Sequence, residues 1–119
     1  GPDPATVAKE RARLRDLLGF LFSTPAYWPS LEMFGWQAVG AQLLQLARQS
    51  RWQEMPGLLT DPMVDEFLVC AGYAELPEAL VARFAGLVGR ITLTVPERPA
   101  DDAAHAQAIA AIRSLAAGA

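Results

Sequence analysis

Few side chains in this sequence have the type and spacing that chemistry needs. There is one cysteine, Cys70, and one histidine, His105, thirty-five positions apart. A metal site would therefore have to be built from carboxylates alone, and no Cys-x-x-Cys or His-x-x-x-His spacing exists. Asp65-Glu66 and Asp101-Asp102 are adjacent pairs, and neighbours on a helix point to different faces, so each pair reads as helix-start charge rather than as an acid–base couple. His105 falls on an alanine-rich stripe and reads as a packing residue. Cys70, flanked by Leu68, Val69 and Ala71, reads as a buried, inert thiol. No catalytic residue and no metal ligand is assigned.

Two features could bind something. Ala71-Gly72-Tyr73-Ala74-Glu75-Leu76-Pro77-Glu78 runs from a strand-like end through glycine into a helix start, whose free N–H groups could hold a phosphate. Glu75 and Glu78 on the same turn compete with an anion. The second feature is aromatic: Phe20, Phe22, Tyr27, Trp28, Phe34 and Trp36 lie within seventeen positions. They could line a pocket for a planar ligand, form a core, or face a partner.

The elements that would carry these residues are mostly helices. Alanine and leucine dominate the 52% hydrophobic content, and 119 residues make one domain. Asp3-Pro4 opens a helix to Phe22, with Leu14, Leu17, Leu18, Leu21 and Phe22 on one stripe. A short irregular helix closed by Gly35 follows, then a helix from Trp36 to Ser50 with Val39, Leu43, Leu46 and Ala47 inward. Ser50 to Gln53 has capping-box spacing, and Asp61-Pro62 pairs a cap at Asp61 with a proline start for one helical turn. Phe67–Ala71 and Ile91–Val95 read as short strands on either side of a helix from Pro77 to Gly89. A last helix follows Asp101 or Asp102.

A net charge of −3, with scattered basic residues, argues against nucleic acid and against a basic membrane-binding patch. No apolar run approaches the ~20 residues of a membrane span. The chain is expected to be cytoplasmic. Gly1-Pro2 reads as a protease scar, and residues 1–3 as a flexible start.

The run Phe20-Leu-Phe-Ser-Thr-Pro-Ala-Tyr-Trp-Pro-Ser-Leu-Glu-Met-Phe-Gly-Trp36 resembles the C-terminal part of luciferase-like flavin-dependent oxidoreductases (luciferase-like monooxygenases), especially the deazaflavin subgroup. The likeness continues at Ser50-Arg-Trp-Gln-Glu-Met55, Phe67-Leu-Val-Cys-Ala-Gly72 and Pro77-Glu-Ala-Leu80, covering roughly residues 11–95. Trp28 stands where that family often has arginine, and Phe22 where it often has a small residue.

The resemblance implies the final third of a (β/α)8 barrel, a fold of about 250 residues, and not a complete one. Residues 4–95 would be the partial barrel, with strands near 67–71 and 91–95, and 96–119 a linker and C-terminal helix. It implies FMN or a deazaflavin coenzyme for the parent and none bound by this chain alone. Ser23, Thr24 and Tyr27 would lie on the substrate side and Gly72 at a cofactor contact. The isolated chain is expected to lack turnover. Its partner would be the rest of the barrel or a second copy, met through residues 20–36. Other readings are a non-catalytic helical dimerisation module and a small ligand-binding domain.

Overall fold

The computed structural model describes residues 1–118. The chain is predominantly helical: α1 (Pro4–Phe22), α2 (Trp28–Glu32), α3 (Gln37–Arg48), α4 (Asp61–Phe67), α5 (Leu76–Phe84) and α6 (Asp102–Ala117), with 3-10 turns at Pro25–Tyr27, Trp52–Leu58 and Pro99–Asp101. It divides into two compact units, residues 11–68 and residues 1–10 with 69–119.

In the 11–68 unit, Leu18, Phe22, Leu31, Leu43, Met55, Leu59, Met63 and Val64 form the core, with Trp28, Trp36, Val39 and Phe67 against it. Helix α1 buries the line Leu14, Leu18, Phe22 only partly as expected. Leu17 and Phe20 face outward, 51% and 59% exposed, so the inward stripe is narrower than the leucine spacing suggests.

Helix α3 ends in a Schellman arrangement. Ser50 takes a left-handed φ of 57°, its N–H donates to Ala47 O, and Arg51 N–H donates to Leu46 O. Ser50 therefore terminates α3 and does not open a capping box. Gly35, φ 74°, ends α2 the same way, with Trp36 N–H reaching Leu31 O at 2.9 Å. Thr60, not Asp61, caps α4, its hydroxyl accepting from Met63 N–H.

In the other unit, α5 and α6 pack together with Leu80 and Ala108 buried between flanking residues. Asp3 opens α1 here: its carboxylate accepts from the Thr6 amide at 2.7 Å and the Thr6 hydroxyl at 3.0 Å. Helix α5 stops at Phe84, before Gly86 (φ 75°), so Leu87 and Val88 fall beyond it and are exposed.

Both strand expectations are corrected. Phe67 closes α4, Leu68 leaves it in extended geometry (φ −126°, ψ 142°), and neither 67–71 nor 91–95 forms a strand. A ladder needs a neighbouring strand to accept its bonds. Among the described residues no sheet exists to provide one.

Candidate functional site

The turn from Cys70 to Glu78 joins the irregular segment after Leu68 to α5. Gly72 O accepts from Leu76 N–H at 2.9 Å, so the turn's carbonyl opens the helix. Glu75 folds back, and its carboxylate Oε2 lies against the face of Gly72 where a Cβ would stand. Glu78 sits in the first helical turn. The anionic part of a flavin or deazaflavin coenzyme does not fit here. The helix N-terminus already faces two carboxylates, one of them lying over the glycine that the resemblance assigns to cofactor contact.

Beside this turn, the Tyr73 ring meets the His105 ring edge-on at 5.8 Å. Burial pushes the Tyr73 phenol above its ordinary pKa, and Asp101 adds to the effect while Arg98 opposes it. His105 Nε2 is buried without a hydrogen-bond partner. The ring packs between α6 and Tyr73, and nothing in the fold fixes the orientation of that nitrogen. Cys70 is free and half-buried, less enclosed than its apolar neighbours suggest.

The 11–68 unit holds the other assigned residues. Ser23 is 6% exposed, and its hydroxyl donates to Phe20 O at 2.6 Å, a bond that finishes α1. Thr24 and Tyr27 are exposed on the turn that follows. Gly72 belongs to the other unit.

The six clustered aromatics do not line one pocket. Phe22 is core; Phe34 and Trp36 stack at 4.8 Å, and both meet Phe67 edge-on. Phe20 turns outward to Trp52, with centroids 6.1 Å apart. Trp28 lies over Gly40 of α3 and donates from Nε1 to Phe22 O at 2.9 Å. A hollow of about 490 Å³ borders Trp28, Leu44, Arg48 and Gln49, and an apolar groove of about 360 Å³ in the other unit borders Leu80, Phe84, Ile91 and Ile112.

Sequence reasoning missed two features. Arg11 donates to Asp65 at 2.6 Å and to Asp61, which also accepts from Arg15. Both pairs are spaced i,i+4, so two arginines on α1 match two carboxylates on α4, a signal the sequence carried. Together they hold the Asp61 carboxyl below its ordinary range. The Trp28–Gly40 contact, by contrast, left no local signal.

Among the described residues, no cluster could hold a metal ion, and no helix is long and apolar enough to cross a membrane.

Comparison with known proteins finds three relatives: uncharacterized protein Mb1395 of Mycobacterium bovis, and uncharacterized proteins Rv1360 and MT1405 of Mycobacterium tuberculosis. Each is 34% identical over 91 residues, 76% of this chain but 27% of the relative. The chain thus spans about a quarter of these proteins, which are about 340 residues long since 91 residues are 27% of them. No protein-family profile and no solved structure matches the chain.

Proposed function

We propose that this chain is the C-terminal segment of a longer luciferase-like flavin- or deazaflavin-dependent oxidoreductase of the cytoplasm, a part that completes the fold without turnover of its own. The observation that carries the reading is the stretch from Leu68 to Leu76: extended backbone at Leu68, a turn at Gly72 and a helix start, with no sheet among the described residues to hold it. Such a half-unit has a place in a (β/α)8 barrel, and relatives of about 340 residues have room for one, which takes about 250. The motif run from Phe20 to Trp36 supplies the redox expectation. The exposure of Thr24 and Tyr27 just after α1 supports assigning them to a surface that meets substrate or the rest of the protein. Cofactor binding falls to residues outside this chain, because Glu75 closes the turn at Gly72.

The test is flavin and deazaflavin binding, and cofactor-dependent oxidation, by the full-length protein and by the 119-residue chain side by side. Activity in the long form alone supports the reading. Turnover by the short chain, or no cofactor binding by either, refutes it.

A second reading has its own observation. Leu17, Phe20 and Trp52 stand 51%, 59% and 48% exposed, with Phe20 against Trp52, a patch suited to a second polypeptide surface. A helical module that dimerises through it would sediment as a dimer at micromolar concentration.

A further inference from the structure

The N-terminal residue bonds to the backbone on both sides of Gly72. The Gly1 amino group donates to Ala71 O at 2.9 Å, and Gly1 O accepts from Tyr73 N–H at 3.0 Å. One residue bonded to the carbonyl and the amide on either side of Gly72 is the bonding unit of a parallel β-bridge. The backbone at position 1 thus stands where the last residue of a neighbouring strand would, before the chain enters α1 at Pro4.

Backbone groups on one edge of an extended chain recur every second residue. The next groups on this edge are therefore Ala71 N–H and Val69 C=O. Neither has a backbone partner among the described residues.

We propose that residues 69–73 are an open strand edge whose occupant is the segment directly preceding residue 1 in the longer protein, paired in parallel. The register follows from the two bonds. The residue two before position 1 donates to Val69 O and accepts from Ala71 N–H. Only backbone atoms are involved, so the residue type at position 1 is immaterial. Residues 4–67 are ample for the crossover that parallel strands require, at least about a dozen residues. The relatives' length, with 73% of each lying outside the match, leaves chain to supply the strand. Gly72 suits the bridge position because no side chain there competes with Glu75 or the incoming chain. The inference deepens the reading of this chain as part of a longer protein but uses nothing of its redox chemistry, so a protein that binds no flavin could still bear it out.

Amide hydrogen exchange followed by NMR tests it, in the 119-residue chain and in a longer form with the natural residues at positions 1 and 2 and about six natural residues before them, one strand length. Exchange at Ala71 is expected to slow about tenfold or more in the longer form, independent of protein concentration. Proline at the position two before residue 1 removes the donor to Val69 while keeping the carbonyl that accepts from Ala71, and should reduce that slowing. In a chain lacking residues 1 and 2, Tyr73 exchange should accelerate about tenfold while α5 amides in the Leu80 turn stay unchanged. Unchanged Ala71 exchange in the longer form overturns the proposal. So does slowing that scales with concentration, which marks a second copy on the edge. Should the longer form fail to fold, an unaltered Tyr73 amide in the truncated chain overturns it equally.

Discussion

Replacing Gly40 by alanine tests the clearest side-chain interlock in the molecule. In an open helix interior this change stabilises by about 1 kcal/mol, through backbone entropy. Here the new Cβ would stand 2.6 Å from Trp28 Nε1 and 2.8 Å from its Cδ1, closer than carbon tolerates. The indole is rigid and tied through Nε1 to Phe22 O, so it must move as a body. Overpacking of this kind costs about 1–3 kcal/mol, and a weakened indole bond adds about 0.5–1.5 kcal/mol. The net expectation for Gly40→Ala is a loss of about 1–2 kcal/mol, a fall in Tm of roughly 5–10 °C. Trp28→Leu removes the ring, and in that background Gly40→Ala should stabilise by about 1 kcal/mol. Urea denaturation followed by far-UV circular dichroism measures all four corners of the cycle without depending on tryptophan emission. If Gly40→Ala stabilises the protein that keeps Trp28, the interlock is not what holds α3 against Trp28.

Other outcomes follow from the same geometry. Leu43 is fully buried, so Leu43→Ala should cost about 2–5 kcal/mol in the same denaturation assay, whereas Met33→Ser, at a site 82% exposed, should stay within about 0.5 kcal/mol. Ser50→Gly should raise stability by a few tenths to about 1 kcal/mol, because glycine adopts the φ of 57° without a Cβ penalty; a fall would show that the serine side chain matters there. Asp61 is held below its unfolded pKa of about 3.9, so its stabilising effect is complete above that pH and is lost as acid titrates through the lower folded value. Arg15→Met should move the Asp61 carboxyl midpoint upward in an NMR titration, and an unmoved midpoint would rule out the ion pair in solution. The Tyr73 phenol should ionise above the ordinary value near 10, so that folding weakens as pH rises past the unfolded pKa; absorbance at alkaline pH, compared with Tyr73→Phe, reads this directly.

The helices were legible because their signals are local. Asp3-Pro4 and the leucine spacing place α1 at the residues it occupies, and Gly35 marks the end of α2. Helix bonds reach four residues back, so a short window of sequence contains nearly everything that forms them. Errors at the edges are also local in origin. Ser50 offers capping-box spacing, but the bonds already made by Ala47 and Leu46 turn it into the end of α3. Thr60 beats its neighbour Asp61 for the cap because its oxygen reaches Met63 N–H.

Distance along the chain is where sequence reading loses its hold. Phe67–Ala71 and Ile91–Val95 have strand composition, yet a strand exists only with a partner, and β-propensity says nothing of where that partner lies. The same applies to the candidate site. Residue types alone placed Gly72 at a phosphate-friendly turn, while the fold lays Glu75 across it and commits the Ser23 hydroxyl to Phe20 O. Composition established a helical, acidic chain with few catalytic groups. Which rings enter the core, which turn outward and which backbone edge stays open depended on packing between residues far apart in sequence, where shape and unpaired hydrogen-bonding groups outweigh local preference.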